Sequence, residues 1–132
     1  MIIEFERIVE IVSEIKKSKE EEGGIKQVYF IACGGSLGAF YSADHFLKTE
    51  AEDIKSYMIN SNEFLHNTPK AFGKNSVVVV CSHGGDTPET VKSAKKAYEA
   101  DAAVIGLTYT PGSPLTEYCH YVVGYRFRTD IG

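Results

Sequence analysis

The chain has little basic charge, few cysteines and prolines, and no apolar run of membrane-spanning length. Its 132 residues carry 14 Lys and Arg against 18 Asp and Glu, a net charge of −4. Because nucleic-acid phosphates require clustered cations, this balance argues against a nucleic-acid partner. Apolar runs such as 77–81 have the length of a strand, whereas a transmembrane helix needs about 20 residues. We therefore expect no membrane partner.

The cysteines and the N-terminal charges indicate in which cellular compartment the protein is expected. Cys33, Cys81 and Cys119 are an odd number without metal-ligand spacing, which argues against a disulfide framework and against a metal site. Glu4 and Glu6 interrupt the apolar residues of the N-terminal segment, unlike in a secretory leader. We expect a cytoplasmic protein whose thiols belong to the hydrophobic core.

Residues 1–24 have the pattern of one amphipathic helix with a glycine stop. Ile8, Ile11 and Ile15 recur at helical spacing among Glu and Lys side chains. Two glycines at 23–24 follow a run of glutamates, which is typical of a helix end. We expect this segment either to pack on the rest of the chain or to form a dimer contact.

The remaining residues, 25–132, alternate between short apolar runs and amphipathic segments. The apolar runs predict strands at 27–33, 53–59, 76–81, 102–107 and 120–125. Helical periodicity predicts helices at 37–49, 61–67 and 88–100. Strands that are apolar on both faces and alternate with helices form parallel sheets covered on both sides. We therefore predict an α/β fold in one domain: a three-layer α/β/α sandwich with a mostly parallel, flavodoxin-like sheet of about five strands.

Two glycine-rich turns follow the first and third predicted strands and open helices. In such a sheet, ligands bind beyond the carboxyl ends of the strands. Glycines let backbone N–H groups approach an anion, and a helix N-terminus adds further donors. The candidate phosphate-binding residues are Gly34, Gly35, Ser36, Ser82, Gly84, Gly85 and Thr87. Pro88 suits a first helical position and makes Thr87 the predicted N-cap. Ordinary turn chemistry explains either loop alone, and the coincidence of two favours a phosphate cradle without metal or cofactor.

Other phosphate and nucleotide motifs are missing from the chain. There is no Gly-Lys-Ser/Thr, which excludes a P-loop. The glycines at 34, 35 and 38 do not fit the dinucleotide spacing, and the second strand lacks a terminal acidic residue for a ribose.

Four motifs in order make the chain resemble the sugar isomerase (SIS) domain family. They are Cys-Gly-Gly-Ser at 33–36, Asn-Glu-Phe at 62–64, the loop at 82–87 and Thr-Pro-Gly-Ser-Pro-Leu at 110–115. Among members, the chain is most similar to fructoselysine and glucoselysine 6-phosphate deglycases and to the isomerase half of glucosamine-6-phosphate synthase. The resemblance implies that Ser36, Ser82, His83, Gly84 and Thr87 hold a sugar phosphate. Gly84 departs from the family, where a serine is frequent, and His83 stands where a glutamine is common.

The resemblance also bears on the catalytic group. Aldose–ketose interconversion and deglycation need a base beside a carbonyl or imine carbon, and a shielded carboxylate can serve. In two-module members, a catalytic glutamate of the second module corresponds to Glu63 of this chain. Glu63 is therefore either the catalytic residue or its structural counterpart. Two-module members are more than twice as long, so we expect residues 25–132 to be the first of two modules, or the chain to complete its site as a homodimer.

Three functions fit this sequence. The first is the phosphosugar-binding module of an isomerase or deglycase, acting on a phosphorylated sugar or a sugar–amino acid adduct. The second is a non-catalytic phosphosugar sensor, although the chain lacks the basic helix-turn-helix of the regulators that carry this fold. The third is an oligomerisation module with a vestigial site. Assays of binding and turnover with sugar phosphates distinguish them.

Overall fold

The computed structural model describes residues 5–33, 44–45, 54–70, 72–82, 84, 86–108, 110 and 112–124, and all structural statements concern these residues. The helices are α1 (Phe5–Ser18), α2 (Ser61–His66) and α3 (Pro88–Glu99), with short 3-10 helices at Glu20–Glu22 and Pro114–Tyr118. The strands are β1 (Gln27–Ala32), β2 (Lys55–Asn60), β3 (Ser76–Cys81), β4 (Ala103–Thr108) and β5 (Tyr121–Gly124). Within these ranges no helix is both long and apolar enough to cross a membrane.

The five strands form one sheet in the order β2-β1-β3-β4-β5, and every neighbouring pair is parallel. This is the flavodoxin-like order, and its topological switch point lies between β1 and β3. The predicted fold class is confirmed. The predicted strand bounds differ from the observed ones by one or two residues, as expected where strands fray into loops.

Helices cover both faces of the sheet. On one face, Ile11, Val12 and Ile15 of α1 pack against alternate residues of the strands, such as Phe30 and Val79. On the other face, α2, α3 and the Pro114–Tyr118 turn cover residues that include Tyr29, Ile31 and Val80. Strands β1, β3 and β4 are buried on both sides, which explains their continuous apolar sequences. The three predicted layers are present.

The N-terminal segment ends in two stages. Helix α1 stops at Ser18, and a 3-10 turn follows before Gly23 and Gly24 adopt φ angles of +101° and +73°. A residue with a Cβ is strained at such angles, which explains the glycine pair. The Gly24 N–H donates to the Lys19 carbonyl at 2.8 Å. The segment packs on its own sheet, and its use as a dimer contact stays a prediction.

Side-chain bonds to backbone carbonyls close the amino edge of the sheet, where the strands begin. The Lys19 ammonium donates to the carbonyls of Lys74 and Asp101, the latter at 3.0 Å. The Asn75 amide donates to the Gly24 carbonyl at 2.7 Å. These bonds tie the end of α1 to the turns before β3 and β4.

Two side chains before β5 fix that edge strand on β4. The His120 N–H donates to the Val104 carbonyl at 2.8 Å, and the Val104 N–H donates back to His120 Nδ1 at 3.0 Å. The Cys119 thiol donates to the Leu115 carbonyl at 3.2 Å, and burial raises its pKa to about 12. A Cβ on Gly106 would overlap Cys119 Sγ. Residue 106 must therefore be glycine for this packing.

Candidate functional site

The parallel sheet brings the ends of its strands to one edge, which we call the carboxyl edge. Cys33 follows β1, Ser61 follows β2, Ser82 follows β3 and Thr108 ends β4. Because the strands are parallel, these residues lie side by side across the sheet. The predicted site residues Gly34, Gly35, Ser36, His83 and Gly85 lie outside the described residues.

A pair of hydroxyl groups occupies the turn between β3 and α3. Ser82 Oγ and Thr87 Oγ1 lie 2.9 Å apart. The Thr87 N–H also approaches Ser82 Oγ, at 3.4 Å. Since Ser82 Oγ accepts from that amide, it can give its own proton to Thr87 Oγ1. Either oxygen can be the donor; when Ser82 donates, the Thr87 proton is left for an acceptor outside the pair. Ser82 is only 2% exposed, whereas Thr87 is half-buried.

Thr87 is the N-cap of α3 and Pro88 follows it, as the sequence predicts. Its side chain, however, makes no capping hydrogen bond, because its hydroxyl is paired with Ser82. The first turn of α3 therefore receives no acceptor from its N-cap side chain. A helix of 12 residues in this condition presents backbone donors and a partial positive charge to an anion.

Gly84 and Asp86 shape the same turn. A Cβ on Gly84 would lie 2.8 Å from Asp86 Oδ1, so a serine at 84 would require the Asp86 carboxylate to move. Asp86 is exposed and brings a negative charge close to the hydroxyl pair. Because residue 84 is glycine and not serine, the chain has one hydroxyl donor fewer in this turn than the family pattern implies.

A second group of hydroxyls, which the sequence reading missed, lies beneath the edge. Thr90 Oγ1 lies 2.9 Å from Ser61 Oγ and donates to Cys33 Sγ at 3.8 Å. Ser93 Oγ contacts the carbonyls of Ser61 and Glu89 at 3.2 and 2.8 Å. The available signal was the spacing of hydroxyl residues at 87, 90 and 93, which places them on one face of a helix.

Glu63 lies in the first turn of α2, after strand β2. It is exposed in α2 and lines a cavity of about 350 Å³ beside the edge strand β2. The other lining residues are Tyr29, Tyr57, Met58, Ile59, Pro69 and Lys70. The rings of Tyr29 and Tyr57 are stacked with centroids 5.3 Å apart. Burial and the neighbouring Tyr57 raise the pKa of Tyr29. Ser82, Gly84 and Thr87 are not among the residues that line this cavity.

Ser113 belongs to the loop that follows β4. The residue is 6% exposed, and its hydroxyl has no hydrogen-bond partner within the described part of the chain. A buried hydroxyl without a partner costs about 1–3 kcal/mol. This loop therefore holds a polar group that a bound water or ligand would satisfy.

Comparison with known proteins agrees with the four sequence motifs. Residues 24–128 match the sequence profile of the SIS domain. Over 101 residues the chain is 41% identical to the fructosamine deglycase FrlB of Bacillus subtilis, which covers 76% of this chain and 31% of that protein. Over 126 residues it is 27% identical to the isomerizing glutamine–fructose-6-phosphate aminotransferase of Mycobacterium tuberculosis, covering 92% of this chain and 19% of that protein.

Solved structures share the fold. A candidate phosphosugar isomerase of Salmonella typhimurium LT2 superposes with a TM-score of 0.80 at 43% identity, over 93% of this chain and 35% of that one. Vibrio vulnificus NanR complexed with ManNAc-6P superposes with a TM-score of 0.69 at 18% identity, over 96% of this chain and 44% of that one. The chain spans about a third of the length of FrlB and of the Salmonella protein. The resemblance is confirmed, and the chain belongs to the SIS domain family.

Proposed function

We propose that this chain is the phosphosugar-binding module of a deglycase or isomerase that acts on a phosphorylated sugar or a sugar–amine adduct. The family supports this function, since FrlB is a fructosamine deglycase and NanR holds ManNAc-6P. In this proposal, the phosphate lies against the turn between β3 and α3. The predicted residues Gly34, Gly35, Ser36, His83 and Gly85 complete the cradle.

The observation that carries the proposal is the hydroxyl pair of Ser82 and Thr87 at an N-cap. An N-cap hydroxyl that served only the fold would accept from the first amides of its helix. Here the Thr87 hydroxyl turns away from those amides. A phosphate at this turn would accept from the Thr87 O–H and from the backbone N–H of Glu89. Donors of this kind hold a dianion without a cation of the protein.

The second part of the proposal concerns proton transfer. The ends of β2 and β3 are two strand spacings apart, about 9–10 Å. An extended six-carbon sugar phosphate has a similar length, so a sugar held at Ser82 would extend towards the start of α2. Glu63 is the candidate base within this chain. A base supplied by a second module or a second copy is the alternative, because the chain covers about a third of the length of FrlB.

The test is a calorimetric titration with fructose 6-phosphate, with fructose as the neutral comparison. We expect binding of the phosphate ester only. A hydrogen bond to a charged group contributes about 1.5–3 kcal/mol. Ser82→Ala leaves the Thr87 hydroxyl without the partner that orients it, so binding of the phosphate should weaken about tenfold or more. Ser76→Ala removes a buried hydroxyl at the amino edge and should leave the affinity unchanged. Equal affinity of wild type and Ser82→Ala, or equal binding of fructose, contradicts the phosphate site.

Turnover separates the enzyme from the sensor. The wild-type chain is incubated with fructose 6-phosphate and with a fructosamine 6-phosphate, and products are assayed. If Glu63 is the base, Glu63→Gln should abolish turnover, because the amide cannot take up the proton. The affinity should stay within about twofold of wild type, because Ser82 and Thr87 are not among the residues that line the cavity beside Glu63. Binding without any product in a chain extended to its natural ends would instead favour a phosphosugar sensor, whereas in this chain alone it also fits a base supplied by a second module or a second copy.

A further inference from the structure

We propose that Thr90 is a positioning residue for the phosphate-binding turn, a role that rests on the function proposed above. Its hydroxyl is the point at which three loops of the carboxyl edge meet. It belongs to the first turn of α3, and it bonds to the first residue of α2 and to the residue that follows β1. Thr90 itself is fully buried, so its side chain acts through these neighbours and not on a ligand directly.

The direction of the hydrogen bonds gives this chain of groups a defined order. Thr90 donates its proton to Cys33 Sγ, so the Ser61 hydroxyl must be the donor to Thr90 Oγ1. Both hydroxyls are inaccessible to solvent, and water cannot replace either partner. A buried network whose members satisfy one another favours a single arrangement of the elements that carry them.

Ser93 strengthens the same junction one helical turn later. Its hydroxyl lies 3.2 Å from the Ser61 carbonyl. The first residue of α2 is therefore held by α3 at two points, its hydroxyl by Thr90 and its carbonyl by Ser93. This junction fixes the start of α3 against the start of α2 in the plane of the edge.

The position of Thr90 in its helix connects the junction to the phosphate. Thr87 is the N-cap, so Thr90 is the third residue of α3 and lies in the same turn as the Thr87 hydroxyl and the Glu89 N–H. A shift of this turn would move the Thr87 hydroxyl and the amide donors together. Hydrogen-bond strength falls steeply with distance and angle. Loss of the Thr90 hydroxyl should therefore weaken phosphate binding although no ligand contact has been removed.

The experiment compares three variants of the full chain. Thr90→Val keeps the shape of the side chain and removes its hydroxyl, and Thr90→Ser keeps the hydroxyl. Ser76→Ala is the matched control. Ser76 is equally buried and makes two hydrogen bonds, with Gln27 and Gly73, at the opposite edge of the sheet. The affinity for fructose 6-phosphate is measured by calorimetry, well below the thermal midpoint of every variant.

We expect Thr90→Val to weaken the affinity about fivefold, the value of one ordinary hydrogen bond. Thr90→Ser should stay within twofold of wild type. Ser76→Ala should lower the thermal midpoint and leave the affinity unchanged. A purely structural role would make Thr90→Val and Ser76→Ala alike. Wild-type affinity in Thr90→Val overturns the positioning role alone. Absence of binding by the wild-type chain overturns this role and the proposed function together.

Discussion

The two edges of the sheet use their polar side chains differently. At the amino edge, long side chains end on backbone carbonyls: the Lys19 ammonium on Lys74 and Asp101, and the Asn75 amide on Gly24. At the carboxyl edge, short hydroxyls meet other hydroxyls, as in Ser82 with Thr87 and Ser61 with Thr90.

The difference indicates that the polar groups of the amino edge stabilise the fold, whereas those of the carboxyl edge keep a donor that a ligand could use. A carbonyl only accepts, so each of these bonds uses one proton of the side chain for closure of the fold. A hydroxyl pair contains two protons, and the pair itself uses one. The outer hydroxyl of such a pair can donate to a bound anion without breaking the pair. We therefore expect substitutions at the amino edge to change stability, and substitutions at the carboxyl edge to change affinity.

The largest effect should come from the strand interior between the two edges. In Gly106→Ala the new methyl group overlaps Cys119 Sγ, which is held by its bond to the Leu115 carbonyl. Overpacking of this kind costs about 1–3 kcal/mol. Urea denaturation should show this loss in the free energy of unfolding.

A double mutant sharpens this prediction. Cys119→Ala removes the sulfur, so Gly106→Ala in that background should cost much less than in the wild type. If the two losses simply add, the overlap is not their cause.

Lys19→Met should have the next largest effect. It keeps most of the aliphatic stem and removes the two bonds to carbonyls at the amino edge. Because those carbonyls are exposed and can bind water instead, we expect a loss of about 1 kcal/mol in the free energy of unfolding. The affinity for fructose 6-phosphate should stay the same. A loss of affinity without a loss of stability would break the contrast between the edges.

Asp86→Asn should have a smaller effect, on affinity. The exposed Asp86 carboxylate lies beside Gly84 in the turn that we propose binds phosphate, and its removal should lessen repulsion of a dianion. We expect binding to tighten about two- to threefold at low salt, with the gain shrinking as salt is added. Asp101→Asn is the control, since Asp101 is exposed at the amino edge with φ +63°, which Asn tolerates. Equal gains of affinity in both variants would show that the net charge of the protein, and not the position of Asp86, causes the effect.

The smallest effect concerns pH at the amino edge. Partial burial and the nearby Lys19 ammonium lower the pKa of His120. The unfolded chain therefore takes up this proton more readily than the folded chain. The stability contributed by neutral His120 is complete above its ordinary pKa of about 6.5 and declines as the pH falls below it. Protonation at Nδ1 would also remove the acceptor of the Val104 N–H.

Urea midpoints at pH 7.5 and 5.5 measure this dependence. His120→Asn keeps an acceptor and does not titrate, so the difference between wild type and this variant should decrease in acid. Lys19→Met should reduce the pH dependence of the wild type, because one of the two causes of the lowered pKa is gone. A difference that is independent of pH would show that His120 does not titrate with unfolding.

Particular residues show how far sequence reasoning reached. The continuous apolar run 76–81 identified a buried central strand, and Pro88 identified the start of a helix with Thr87 as its N-cap. The sequence did not predict that the Thr87 hydroxyl bonds to Ser82 and not to the helix amides, because the conformation of the loop decides between these two partners. Thr90 was overlooked for the same reason: a threonine in the first turn of a helix has no sequence mark that distinguishes an inward from an outward hydroxyl.

The sequence by itself determined the alternation of strands and helices, hence the parallel sheet, the edge at which its loops gather and the family. These properties depend on hydrophobic periodicity and on short motifs, which are local along the chain. Only the tertiary structure decided that Ser61 meets Thr90 across 29 positions, that Glu63 lines a cavity with Tyr29 and Tyr57, and that long side chains at the amino edge bond to backbone carbonyls. Such pairings depend on the packing of distant elements, where differences of about an ångström decide which hydrogen bond forms.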